Sequence, residues 1–225
     1  MKGLLIGILL FLLGSGCMCP TANLIPQDLG DSTSSKLASN IVNWNVIMIS
    51  SEGRPNCGGT VIKYHEHTLV VTANHCLDDF ALPGDIQIVE DGTHRFNTEI
   101  IISNIHKDIA ILRVIHQWDA VGLRSTYPAS NEPKIGDKIL ISGFTAGMKD
   151  LVTQGYIGKL LEPMGELYAP KMVLDIRIWY GSSGGGVYNT NGRLIGVVSM
   201  IINGPGFCLA VPLQDINEAL EASQL

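Results

Sequence analysis

The chain lacks any run of Lys or Arg. Its 15 basic residues are scattered among 21 acidic ones, for a net charge of −6 over 225 residues. A nucleic-acid surface needs a basic patch or stripe, so nucleic acid is excluded as a partner. No internal repeat or low-complexity segment is present. A metal-ligand constellation is missing too: His65 and His67 form a His-x-His, but no Cys or carboxylate set accompanies them, and they read as a solvated polar turn. The glycine-rich stretch near the C-terminal end lacks the Lys-Ser or Lys-Thr that closes a phosphate-binding loop, since Gly186-Val187-Tyr188 follows it. Finally, no histidine follows Ser183; His65, His67, His75, His94, His106 and His116 all precede it.

That glycine-rich stretch, Gly181-Ser182-Ser183-Gly184-Gly185-Gly186, lies between two apolar runs at residues 171–178 and 194–200 that have the length and branching of strands. A Ser between glycines can occupy backbone conformations closed to other residues, and a substrate backbone can come close. Its N–H groups can converge on one spot, as a developing oxyanion requires. A plain Gly/Ser turn is the bland alternative. A Gly-x-Ser-x-Gly nucleophile elbow of an α/β-hydrolase needs the order Ser, acid, His, which the position of every histidine forbids. The remaining catalytic order is His, Asp, Ser.

Residues 1–16 carry one basic residue, Lys2, then an apolar run over 4–13 and the small residues Gly14, Ser15 and Gly16. The run is too short to span a bilayer comfortably and has the plan of an export signal. Cleavage after Gly16 would leave Cys17 first, which resembles a bacterial lipoprotein signal, although Gly14 stands where an apolar residue is usual. Plain secretion and lipid attachment at Cys17 both remain open, and the location expected is exported: secreted, periplasmic or lipid-anchored to a membrane. Residues 17–40 are rich in Ser, Asn, Thr and Asp and predict a flexible tether. A folded domain follows over 41–225.

Strand signals fall in two groups. The first is at 45–50, 60–64, 68–72, 86–90, 95–103 and 109–115. The second is at 138–143, 151–161, 171–178, around Tyr188, 194–202 and 207–211. Between them, 117–134 is polar and holds Tyr127-Pro128 and Glu132-Pro133, the marks of a linker. Residues 213–225 carry Leu213, Ile216, Ala219 and Leu220 at helical spacing. Many short strands in two groups followed by one helix predict an all-β fold of paired antiparallel barrels, about 41–116 and 135–212.

The first group contains Cys57-Gly58-Gly59-Thr60 and Val71-Thr72-Ala73-Asn74-His75-Cys76, then Asp108-Ile109-Ala110-Ile111-Leu112. Together with the Ser183 loop, these motifs resemble the chymotrypsin/trypsin-like serine protease family. Residues 152–157 and 175–185 are most similar to its bacterial HtrA/Deg branch. The resemblance runs from about Val46 to about Ala219 and implies two six-stranded barrels with a short C-terminal helix. It also implies a serine endopeptidase with His75, Asp108 and Ser183 as triad, Gly181 and Ser183 as oxyanion donors, and a Cys57–Cys76 disulfide. Protein or peptide substrates are the partners implied, no cofactor is called for, and the oligomeric state is left open.

The residues support these roles. Asp108 heads a run that is apolar on both faces, where a partly buried carboxylate needs a partner and an imidazole would serve. Asp78 and Asp79 follow His75 too closely to reach the far side of its ring. Ser182 stands where digestive trypsins carry an Asp that pairs with a new N-terminus, so that activation switch is not expected. The sequence runs to Leu225, and the PDZ module usual in the HtrA branch is not expected within it. Arg177, Val198, Ser199 and Met200 are the candidate substrate-pocket residues. An apolar pocket taking Val, Ala or Leu is expected; acidic residues would be preferred if Arg177 reached its floor. Cys208 reads as a small buried apolar residue, and no role is assigned to Cys19. The rival function is a catalytically silent protein-binding module on the same fold; such modules usually lose a triad member, and this chain keeps all three.

Overall fold

Leu69, Val70 and Val71 are consecutive, and all are fully buried. On a strand this requires apolar surroundings on both faces, and two cores supply them. Leu69 and Val71 join a core shared with Ile109, Ile111, Tyr188 and Val197. Val70 points the other way, into a core with Val46, Met48, Val61 and Leu112. Each fully buried side chain of this size contributes about 1.5–3 kcal/mol, so the uninterrupted apolar runs are what bind the layers.

The computed structural model describes residues 32–49, 55–77, 87–89, 94–115, 122–202 and 206–225. Its first sheet contains β1 (Asn45–Ile49), β2 (Pro55–Tyr64), β3 (His67–Thr72), β4 (Gln87–Val89), β5 (Arg95–Asn104) and β6 (Ile109–Val114). The strands pair antiparallel in the order β1-β2-β3-β6-β5-β4, and β4 pairs again with β1. The second sheet contains β7 (Lys138–Gly143), β8 (Leu151–Glu162), β9 (Lys171–Asp175), β10 (Gly186–Asn189), β11 (Leu194–Ile201) and β12 (Phe207–Pro212). Its order is β7-β8-β9-β12-β11-β10, with β10 returning to β7. Both sheets therefore share one strand order, although no repeat is visible in the sequence. A third core, with Ile139, Ile157, Leu174, Val187 and Val198, belongs to the second sheet.

The shared core is closed by helix α2 (Leu213–Ala222), whose Ile216 and Leu220 are buried in it. A second helix, α1 (Ser32–Asn43), takes in residues 32–40 of the expected tether. Ile41 is fully buried in the shared core and Leu37 packs against it, so two apolar contacts fasten a segment whose composition is otherwise polar. Residues 1–31, with the expected export signal, Cys17 and Cys19, lie outside the described residues, as do Asp78, Asp79 and His116.

The described part of the expected linker is zipped to both sheets. Thr126 exchanges main-chain hydrogen bonds with Val61 and Lys63 of β2. Tyr127 and Ala129 do the same with Leu194 of β11. The strand expected over 171–178 stops at Asp175, which is paired with Phe207, the first residue of β12. Beyond it the Ile176 N–H donates once more, to Gly206 O at 2.9 Å, and among the described residues, 177 and 178 make no further pairing with β12. The chain is thereby released toward the Ser183 loop.

Candidate active site

Three pieces of chain meet where the sheets adjoin. β3 ends in a 3-10 turn, Asn74–Leu77, that carries His75. A disulfide from Cys76 to Cys57 of β2 ties this turn down. Asn74, buried, accepts a hydrogen bond from Ser103 Oγ at 2.7 Å. The His75 side chain remains 42% exposed. Its backbone is thus anchored while its ring is partly open to solvent.

Asp108 lies in the turn between β5 and β6, with a φ of +51°. This is the left-handed region that a non-glycine residue enters rarely and at a cost. The side chain is buried, and its carboxylate faces His75. Nδ1 of His75 lies 3.0 Å from Oδ1 and 3.1 Å from Oδ2, and the His75 main-chain N–H donates to Oδ1 at 3.0 Å. Ser199 Oγ donates to Oδ2. Burial pushes the carboxyl upward. Hydrogen bonding from the His75 ring, attraction to that ring, the Ser199 hydroxyl and the His75 N–H together outweigh burial and hold Asp108 below the ordinary carboxylate value.

Ser183 is half-buried in the third piece, the loop between β9 and β10. Its Oγ donates to the carbonyl of Ser199 at 3.3 Å. Gly181 and Gly184 have φ of +89° and +79°, and a Cβ on either would clash, at 2.3 Å from Phe144 O and 2.0 Å from Gly58 O respectively. Ser182 is fully buried; its Oγ donates to Trp179 O at 2.6 Å and accepts from Thr145 Oγ1 at 2.8 Å. Among the described residues, the N–H groups of Gly181 and Ser183 donate to no other group, while those of Ser182, Gly184 and Gly185 are all engaged.

The structure brings His75, Asp108 and Ser199 into contact and places Ser183 against Ser199. Only Arg177 of the expected pocket residues lines the neighbouring cleft of about 1030 Å³, with Tyr156, Asp175, Trp179, Ile201 and Phe207. Val198 is buried in the core of the second sheet, and Met200 is half-buried. The role of Ser199 as donor to Asp108 was not legible in the sequence, where only its place on a strand pointed to the site. Cys208 is fully buried and its thiol is pushed up to about 12 by that burial. Cys57, His75 and Cys76 each place a ligand atom within 4.8 Å of the others, but the two sulfurs are bonded to each other and offer no thiolate to a metal.

A model of the trypsin-like peptidase domain matches residues 57–197, spanning all three pieces of the site. The chain belongs to the trypsin-like peptidase family. Among curated relatives, the periplasmic serine endoprotease DegP of Escherichia coli is 26% identical over 147 residues, covering 64% of this chain and 30% of that protein. A probable DegP-like periplasmic endoprotease of Brucella suis is 25% identical over 178 residues, covering 75% and 33%. The chain spans about a third of the length of these relatives. Among solved structures, the HtrA-type protease AlgW with a tripeptide superposes with a TM-score of 0.71 at 18% identity, over 84% of this chain and 62% of that one. Rv3671c from M. tuberculosis, in an inactive form, gives 0.66 at 17% identity, over 84% and 90%. These likenesses are to the fold. The resemblance read from the motifs, to trypsin-like proteases of the HtrA/Deg kind, agrees with the family and with the relatives.

Proposed function

We propose that this member of the trypsin-like peptidase family is a serine endopeptidase acting through His75, Asp108 and Ser183 on the double-barrel fold of that family. The observation that carries the reading is the Asp108 carboxylate, buried and bonded to both the ring and the main chain of His75. A carboxylate on Nδ1–H fixes the tautomer that leaves Nε2 basic, and it stabilises the imidazolium formed when that nitrogen takes a proton. Ser183 Oγ attacks the scissile carbonyl as its proton turns from the Ser199 carbonyl to His75. The free N–H groups of Gly181 and Ser183 receive the oxyanion. His75 then protonates the leaving amine, and water resolves the acyl-enzyme by the same steps in reverse.

The periplasmic names of the relatives support an exported protein acting on protein or peptide substrates. The export signal at 1–16, followed by either plain secretion or lipid attachment at Cys17, and the domain over 41–225, now extended to include α1, belong to the same proposal. Among the described residues, no helix is long and apolar enough to cross a membrane.

The test is labelling by a fluorophosphonate probe, which reacts with an activated serine. Wild type labels; Ser183→Ala does not, and His75→Ala and Asp108→Asn label more slowly. In the family's type enzymes, losing one triad member costs on the order of 10⁴- to 10⁶-fold in turnover. A folded wild type that stays unlabelled, or labels no faster than Ser183→Ala, overturns the reading.

A further inference from the structure

Lys171, the first residue of β9, is fully buried. A buried ammonium is expected to sit against a carboxylate. Lys171 instead gives its hydrogen bonds to two neutral carbonyls, Lys107 O at 3.0 Å and Ala169 O at 3.3 Å. Glu162, its partner across the ladder, is turned to Lys159.

The Lys107 carbonyl belongs to the peptide group that leads into Asp108. The other end of that peptide, the Asp108 N–H, donates to Ile105 O at 3.2 Å. The plane whose orientation sets the φ of +51° at Asp108 is thus held at both ends, one of them by a side chain from the second sheet. Neighbouring contacts grip the same turn. The Ala169 N–H donates to His106 O at 2.8 Å, and His106 Nδ1 lies 3.0 Å from Leu167 O. The Lys107 ammonium pairs with Asp215 at 2.9 Å and with Glu218, both on α2.

We infer that Lys171 is a positioning residue for the proposed reaction: its ammonium holds the Lys107–Asp108 peptide so that the Asp108 carboxylate faces His75 and Ser199, and its charge tempers the pull of that carboxylate on the imidazolium. The inference rests on the reading of Asp108 as the partner of a catalytic His75. The charged groups acting on Lys171 are Asp108, Asp215 and Lys107, with Glu218 reached through Lys107. Those acting on Asp108 are His75 and, by hydrogen bond, Ser199, while the attraction between Asp108 and Lys171 is felt at the lysine. Burial draws Lys171 downward, and attraction to Asp108 and Asp215 opposes it.

The two roles separate by substitution. Lys171→Gln keeps a donor for the Lys107 carbonyl but removes the charge. The unopposed carboxylate then favours the imidazolium more strongly, and the acid limb of kcat/KM moves to higher pH. Lys171→Met removes both donor and charge. With Asp108 free to shift, kcat falls on the order of 10²-fold, as for a catalytic group displaced by about 1 Å, while KM is little changed. Lys171→Arg keeps donor and charge and restores most of the rate. Thermal melts accompany each variant; if Lys171→Met does not fold, Lys171→Gln decides by its pH profile. A folded Lys171→Gln with the wild-type acid limb, or a folded Lys171→Met with wild-type kcat, overturns the inference. Probe labelling keeps the two readings apart: a wild type that never labels removes the proposed activity itself, whereas a wild type that labels beside variants of unaltered kinetics removes only the role of Lys171.

Discussion

Gly58 and Ser183 are joined main chain to main chain, with the Gly58 N–H donating to the Ser183 carbonyl at 2.8 Å. The Gly58 carbonyl in turn accepts from Thr72 Oγ1 at 2.9 Å, and the α-carbon of Gly184 passes directly over it. The strand of the disulfide, the strand leading to His75 and the Ser183 loop therefore meet on one glycine. A side chain at Gly184 would run into the Gly58 carbonyl, and one at Gly58 would press on the main chain of Gly185.

Gly184→Ala should abolish probe labelling. A methyl there would sit 2.0 Å from Gly58 O and 2.2 Å from Thr72 Oγ1, at a φ of +79°. The backbone conformation alone costs about 1–3 kcal/mol, and the clash adds to it. A thermal melt and a labelling time course read both effects; wild-type labelling by a folded variant would contradict the packing described.

Ser199→Ala should slow turnover about tenfold or more, the worth of a hydrogen bond to a charged group. The hydroxyl lost is one of those holding the Asp108 carboxyl below the ordinary value, so that carboxyl rises. Peptidase kinetics of the folded variant supply the check, and an unchanged kcat/KM would remove Ser199 from the site.

Asp108 should make stability depend on acid. Its carboxyl is lowered in the folded chain, so its contribution is fully present above about pH 4, the unfolded value. As pH falls, the unfolded chain takes the proton first, and the contribution is lost as pH drops through the lowered folded value. In urea unfolding, the stability gap between wild type and Asp108→Asn should shrink below about pH 4. A gap that widens there would reverse the sign assigned to this group.

The disulfide should stabilise by roughly 3 kcal/mol, as expected for a closed loop of this size in the chain-entropy model. Replacing Cys57 and Cys76 together by Ala should lower the melting temperature accordingly. Cys208 should resist alkylation in the native protein, since it is fully buried and its thiol is pushed up to about 12. Peptide mapping after iodoacetamide treatment, native against denatured, would expose the opposite behaviour.

Strands were the most legible part of the sequence because their apolar residues face two cores. β6 needs Ile109 and Ile111 on one side and Leu112 and Val114 on the other, and a branched run of this length favours a strand over a helix. The loop glycines were legible for a similar reason, as Gly181 and Gly184 occupy conformations other residues avoid. α1 was not, because only Leu37 and Ile41 mark its buried side within a polar segment. Lys171 escaped for the opposite reason: a Lys at the head of a strand predicts a solvated end, and only the tertiary structure shows the second sheet delivering it beneath the Asp108 turn. Ser199 is expected at a wall of the pocket from the resemblance of its strand to the family's, which gives a place in the chain but not the Asp108 carboxylate that its hydroxyl meets.

The grip of β9 and α2 on the Asp108 turn bears on the order in which the chain is made. His75, Asp108 and the cysteines of the disulfide leave the ribosome before Lys171, Ser183, Ser199 and the acidic pair on α2. A half-translated chain would hold an imidazole and a carboxylate without the groups that align them and without a nucleophile. Under the proposed function, the nucleophile and the groups that align the Asp108 turn are made after the general base, so the first half of the chain alone holds no complete cutting centre.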